Sequence, residues 1–244
     1  MNTRFPTNKR DIRASLNIFC DQGLANYGKN RSFDFGAPHS NVSNLSPFIR
    51  RRIISEREVI ATALKKHKIK KIEKFIQEVF WGTYWKGWLE LHPWIYNRFS
   101  ENNHKYIIPK KTGIKCFDYW TEELIETGYL HNHARMWYAS IWVFTLKKSW
   151  SSGANFFKQN LLDWCPASNT LGWRWVAGLQ TIGKHYVAKP ENIKFFTKDR
   201  FHPDNQLVKN PMPVTIDNLA SESIKFNPPK ILDLQTDDQI GLVL

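Results

Sequence analysis

Residues 70–91, KKIEKFIQEVFWGTYWKGWLEL, constrain the fold more than any other stretch of the chain. Ile72, Phe75, Ile76, Val79 and Phe80 recur at helical spacing and line one face of a long helix. A second face carries Glu78, Trp81, Trp85 and Trp88. A helix that is apolar or aromatic on two sides lies between layers or lines a pocket. Period-two alternation is nearly absent elsewhere and no internal repeat is visible. The fold class that follows is all-α.

The remaining helices read from their punctuation. Pro47 suits a first turn, with Ser43 or Ser46 as its cap. FDYWTEELIET is helical and is stopped by Gly128. A mostly apolar helix is predicted from 131 to 149, another over GANFFKQNLLDW, and a third over TLGWRWVAGLQTIG with Ser168 or Asn169 near its cap. NRFSENNHKYIIPKKTG (residues 97–113) reads as a polar loop. The predicted organisation is an N-terminal arm (1–10), a helical domain (11–205) and a Pro-rich tail (206–244), docked or partly disordered.

Charge narrows the partners. Lys and Arg number 35 against 22 acids, a net charge of +13, which favours polyanions and nucleic acid first among them. Eleven tryptophans are many for 244 residues, and Trp serves both core packing and stacking on flat ligands. Cys20, Cys116 and Cys165 show no CxxC spacing, so a disulfide framework or zinc module is not expected. No stretch is long and apolar enough for a membrane span and no signal-peptide core is present. The expected location is cytoplasmic and nucleoid-associated, with no membrane partner.

TGYLHNHARM (127–136) crowds polar side chains into one helix start. His131 and His133, two apart, lie roughly opposite each other, whereas helix-borne metal pairs need a spacing of four, so no metal site is expected. Tyr129, Asn132, Arg135 and Met136 share a face. A buried Arg135 needs an anion, and Asp163 is the candidate. NVSNLSP (41–47) offers hydroxyls and backbone N–H groups at a helix start, a phosphate site of a simple kind. No G-x-G-x-x-G follows a strand, so a Rossmann site is not supported.

Together, TGYLHNHARM, LLDWCPASNTLGWRW and VSNLSP resemble the FAD-binding helical domain of the photolyase/cryptochrome family, in order and at similar separations, from about residue 11 to about 205. FCDQGLANYGKNRSF also resembles the family's segment ahead of the phosphate loop. The resemblance implies FAD as cofactor. Tyr27, Ser43, Asn44, Leu45, Ser46, Asn132, Arg135, Asp163, Cys165 and Asn169 match its binding residues. It implies that Trp173 and Trp150 match the first two members of a photoreduction chain, with Trp94 or Tyr96 nearest to a third. Glu78, Trp81, Asn132, Met136 and Trp175 match the lesion pocket. At i and i+2, Trp173 and Trp175 point to opposite sides of their helix.

There are departures. Val42 stands where the family has a phosphate-loop Thr, Gly82 replaces the Arg after the pocket Trp, and Cys165 replaces the second acid of the DxD pattern. The N-terminal α/β antenna domain has no counterpart, so no antenna chromophore is expected. The resemblance implies a monomeric enzyme (deoxyribodipyrimidine photolyase) that splits cyclobutane pyrimidine dimers in UV-damaged DNA by light-driven electron transfer. The (6-4) branch carries histidines where this chain has Asn132 and Met136. The alternative is a blue-light sensor that binds FAD without repair.

Overall fold

The computed structural model describes residues 5–101, 111–181 and 183–214. In chain order the helices are α1 (Lys9–Gln22), α2 (Tyr27–Asn30), α3 (Ser46–Arg50), α4 (Glu56–Lys66), α5 (Ile69–Leu91) and α6 (Pro93–Glu101). They continue with α7 (Lys115–Thr127), α8 (Asn132–Ser140), α9 (Trp150–Asn160), α10 (Pro166–Val176) and α11 (Pro190–Phe196). Among the described residues there is no β-strand, and the architecture is all-α.

Local chemistry sets several ends. Asn8 accepts the Asp11 N–H at 2.9 Å to start α1, and Ser55 accepts that of Glu58 at 3.1 Å to start α4. Gly128 ends α7 at φ +69°, where its N–H reaches Leu124 O at 2.9 Å. A side chain there would also strike Leu162, so glycine is required for both conformation and space.

Five expectations change. Leu45, not a serine, precedes α3, and Ser46 turns its hydroxyl to another segment. Helix α10 starts at Pro166, earlier than predicted, because proline's fixed φ and missing N–H suit a first position; Ser168 and Asn169 therefore lie inside it. The helix predicted to run to 149 widens after Ser140 into a π-turn, Ile141–Thr145, where Leu146 N–H reaches Ile141 O at 2.8 Å, and then ends. Part of the predicted polar loop is α6, whose Ile95 and Phe99 are buried one turn apart; residues 102–110 lie outside the described residues. Phe80, placed with the buried face of α5, is instead exposed.

Three apolar clusters hold the helices. Trp120, Trp137, Tyr138, Trp142, Phe117 and Phe156 form the centre of the largest, among α7, α8 and α9. A second lies beneath α1, α4 and the first half of α5, built from Leu16, Phe19, Val59, Ile72 and Phe75. Leu89, Ile95 and Leu171 join α5, α6 and α10 in the third. Each large side chain so buried contributes roughly 1.5–3 kcal/mol. Helix α10 packs against both α5 and α9, and so links the clusters. Beyond α11 the chain stays docked at least as far as Leu207, which is buried in the largest cluster. The rest of the expected tail, from 215, lies outside the described residues.

Candidate functional site

The loop before α3 is built by asparagines. Asn41 donates to Asn30 O and Phe33 O, both at 2.8 Å. Asn44 sits at φ +54° and donates to Pro38 O (2.9 Å) and His39 O (3.3 Å). Leu45 plugs the loop into the second cluster. The Ser43 hydroxyl accepts only a long 3.4 Å bond from Leu45 N–H. Among the described residues the N–H groups of Asn44 and Ser46 meet no protein acceptor.

Ser46 Oγ donates to Asp163 Oδ2 at 2.6 Å, and Arg135 Nη2 donates to the same oxygen at 2.8 Å. Arg135 Nε donates to Leu130 O at 2.9 Å, and its guanidinium lies over Tyr129 at 5.4 Å. Burial works against the Arg135 cation, but the Asp163 carboxylate outweighs it and raises the pKa above its ordinary value. Three segments far apart in sequence thus meet on one carboxylate. The other oxygen, Asp163 Oδ1, is buried with no hydrogen-bond partner. Asn169 is buried one helical stretch on and donates to Ala154 O at 2.9 Å. Cys165, just ahead of α10, lines a cleft of about 340 Å³ with Arg50, Lys86, Glu90, Tyr96 and Ala167.

Of the eleven tryptophans, Trp81 (52% exposed) and Trp175 (36%) are the two in the exposed class. They belong to α5 and α10, which pack together. Trp81 stacks on Tyr84 at 5.1 Å and Trp175 on Tyr186 at 5.5 Å. Nothing lies within 4 Å of where a side chain would start at Gly82. Glu78 is not free: Arg31, at the end of α2, pairs with it at 2.6 Å. Met136 is half-buried and Asn132 exposed at the start of α8. Tyr27 packs edge-on to Phe19 and Phe75, and burial, reinforced by Glu78, pushes its hydroxyl up to about 12.

Trp173 is buried on the other side of α10 from Trp175, and its Nε1 has no acceptor. Its ring meets Trp142 at 6.2 Å and Phe157 at 5.0 Å. Trp150, the expected next member, stacks on Phe99 at 5.8 Å, and Phe99 meets Tyr96 at 6.1 Å.

The two histidines of HNH sit at the start of α8. His131 Nδ1 caps α8 by accepting the His133 N–H at 3.2 Å. Burial pulls His131 down to about 3 and His133 to about 4, so both are neutral. Beside them lies a buried network that sequence reasoning missed. His39 Nε2 faces Glu123 at 2.6 Å, and its Nδ1 faces Asp34 at 3.3 Å. Asp34 also holds Arg200 at 3.0 Å and accepts from Trp120 Nε1 and Gly36 N–H, each at 3.0 Å. Burial opposes the His39 cation, but the facing Asp34 and Glu123 carboxylates raise its pKa regardless. Burial likewise opposes the Asp34 anion, and His39 and Arg200 hold its pKa well below the carboxylate range. Glu123 is 84 residues from His39, and no local pattern marks either.

The loop with open N–H groups, the Ser43 hydroxyl and an unpartnered carboxylate oxygen beside a cation provide unused polar capacity. A phosphate fits the first part; a heteroaromatic N–H fits the bare Asp163 oxygen. Within hydrogen-bonding chemistry, the residues fit a dinucleotide cofactor.

Comparison with known proteins agrees with that chemistry. The family model described as the FAD binding domain of DNA photolyase matches residues 61–229, more than half of the chain. A deoxyribodipyrimidine photo-lyase of Neurospora crassa is 26% identical over 227 residues, covering 84% of this chain and 36% of the relative. That of Vibrio cholerae is 23% identical over 219 residues, covering 83% and 46%. The chain therefore spans less than half the length of these relatives. Among solved structures, a class III photolyase from Agrobacterium tumefaciens superposes with a TM-score of 0.62 at 24% identity, covering 79% of this chain and 43% of that one. A cryptochrome from Synechocystis gives 0.62 at 18% identity, covering 80% and 44%. At these identities the structural likeness concerns the fold.

Proposed function

The chain belongs to the photolyase/cryptochrome family through its FAD-binding helical domain, and from that premise we propose that it is a light-driven DNA-repair flavoprotein acting on cyclobutane pyrimidine dimers. FAD is the cofactor of this domain, and when bound it supplies one-electron transfer driven by light. The observation that carries the repair reading is the exposure of Trp81 and Trp175 alone among the tryptophans.

The chain's own groups divide the work. The amides of Asn44 and Ser46, with the Ser43 hydroxyl, would hold the phosphates, while the Ser46 hydroxyl keeps its proton on Asp163. Arg135 and Asp163, with Asn169, would hold the ring system, Arg135 offsetting negative charge and the bare Asp163 Oδ1 offering an acceptor. A dimer flipped from the duplex leaves its stack at a cost of a few kcal/mol, least for a damaged step. Trp81 and Trp175 offset that cost by stacking, at roughly 1–3 kcal/mol per base. Glu78 accepts hydrogen bonds from the bases once it leaves Arg31. The +13 charge attracts the DNA backbone. Asn132 and Met136, where the (6-4) branch carries histidines, favour the cyclobutane lesion.

Blue-light repair of a dimer-containing oligonucleotide by FAD-loaded, reduced protein tests the reading. Dimer disappearance supports it, and tight FAD binding with no dimer loss overturns it. The Glu78–Arg31 pair favours a second reading, a light sensor in which the acid is permanently engaged. Arg31→Ala separates the two: under the repair reading it raises affinity for damaged DNA, whereas a sensor shows no repair with either arginine or alanine.

A further inference from the structure

We propose that His39 is a positioning residue for the cofactor's phosphates: clamped by Glu123 of α7 and by Asp34, it holds in place the loop whose amides at Asn44 and Ser46 are open. The inference rests on the flavoprotein reading above and concerns a side chain that is fully buried.

The backbone of His39 is built into the loop. Its N–H reaches Gly36 O at 2.9 Å, and its carbonyl accepts from Val42 N–H at 3.2 Å and from Asn44 Nδ2 at 3.3 Å. Both His39 (φ +53°) and Asn44 (φ +54°) lie in the left-handed region. A residue with a side chain pays for that conformation and keeps it only where its surroundings fix it. Asn44 is fixed from within the loop, by its bonds to Pro38 O and His39 O. His39 is fixed from outside. Its Nε2 meets Glu123 Oε1 at 2.6 Å, and its Nδ1 lies 3.3 Å from Asp34 Oδ1 without the alignment of a hydrogen bond.

The clamp has firm anchors. Trp120 Nε1, also from α7, donates to Asp34 Oδ2 at 3.0 Å, and Arg200 pairs with the same oxygen at 3.0 Å. Arg200 also donates to Asp34 O at 2.8 Å. The loop is therefore tied to α7 through His39 and to Asp163 through Ser46. Between these ties stand the Ser43 hydroxyl and the Asn44 amide. Releasing the first tie frees the backbone that presents them and leaves the Arg135–Asp163 pair in contact. The phosphate half of the site thus depends on His39 more than the ring half does.

The tie responds to protons. Protonated His39 directs an N–H toward each carboxylate. A neutral ring keeps only one, and its bare nitrogen then faces a carboxylate oxygen lone pair to lone pair. The other titratable groups around the imidazole are Tyr129 at 5.5 Å and His131 at 5.7 Å, both from the turn before α8, with His133 6.0 Å beyond His131. Burial keeps His131 and His133 neutral. Asp34 and Glu123 raise the His39 pKa, so the clamp is complete below the ordinary histidine value and is lost as pH rises through the raised one.

The test titrates flavin-free wild type, His39→Gln and Glu123→Gln with FAD and with riboflavin, which lacks both phosphates. His39→Gln weakens FAD binding by about tenfold or more and leaves riboflavin binding within about twofold of wild type. Wild-type FAD affinity falls as pH rises above about 6.5, whereas His39→Gln is flat over the same range. Thermal unfolding of the flavin-free variants checks that each is folded. Glu123→Gln keeps an acceptor for Nε2 and loses the charge, so it gives a smaller loss of the same kind, and it decides should His39→Gln not fold. Equal loss of FAD and riboflavin affinity means that His39 supports the fold alone, and overturns the assignment. Unchanged FAD affinity, or one pH profile shared by wild type and His39→Gln, overturns it as well. Where riboflavin binds wild type too weakly to measure, the pH profiles decide. If the wild-type protein binds no FAD, the flavoprotein reading fails instead.

Discussion

Asp163 is the most consequential single position, because one oxygen of its carboxylate holds both Ser46 and Arg135. Its side chain is 5% exposed and that of Arg135 24%. Removing one partner of a buried ion pair costs 3–5 kcal/mol in general. Arg135 keeps its Leu130 bond and some contact with water, so Asp163→Ala should fall at the low end, about 3 kcal/mol. Asp163→Asn retains an acceptor and should cost about 1–2 kcal/mol, and Ser46→Ala about 1 kcal/mol. Urea unfolding of the flavin-free proteins, followed by tryptophan fluorescence, measures these terms without the cofactor. Titration with FAD then measures binding, because a ligand stabilises the folded state by RT ln(1 + [L]/Kd). Asp163→Ala should lose most FAD affinity, and Ser46→Ala in that background should add little, since its acceptor is already gone. A flavin-free cost below about 1 kcal/mol together with unchanged FAD affinity would refute the idea that this carboxylate joins the loop, α8 and α10.

Other consequences follow from separate features. His39, raised by its two carboxylates, contributes stability that is full below its unfolded value of about 6.5 and is lost as pH rises through its folded pKa. His131 and His133, held neutral, act oppositely, because the unfolded chain binds their protons below about 6.5 and stability falls there. The stability–pH curve should therefore be bell-shaped, and urea unfolding of His39→Gln across pH should show the alkaline limb flattened. Trp175→Ala should weaken binding of dimer-containing DNA by about 1–3 kcal/mol while sparing flavin photoreduction; Trp173→Phe should block photoreduction yet repair DNA once the flavin is reduced chemically. Equal loss of both activities in both variants, on flavin-saturated protein, would remove that division of labour. Gly153→Ala should cost about 1–3 kcal/mol of overpacking, read by thermal or urea unfolding, and should slow photoreduction by displacing Trp173. DNA affinity should fall with salt at a log–log slope of about −0.9 per phosphate contacted, and a flat salt titration would place the basic residues elsewhere.

Sequence and tertiary structure decided different things here. Helical class, the long two-faced α5 and the stop at Gly128 were legible because periodicity and glycine's access to positive φ are local properties. The partnership of Arg135 with Asp163 was also legible, since a cation on an apolar helix start demands an anion. The earlier start of α10 was not legible because CPASN reads as a break between helices, whereas Pro166 opens the second of them. The π-turn after Ser140 follows from packing, which no propensity records. The network of Asp34, His39, Glu123 and Arg200 was not legible at all. Its members come from three distant segments, and only burial turns four common residues into one connected set. In the same way, the sequence by itself determined which indoles exist and that Trp173 and Trp175 oppose each other on a helix of fixed period. Only the tertiary structure decided that Trp173 is buried against Trp142 and Phe157 while Trp175 lies exposed, because burial depends on what other segments bring within a few ångströms.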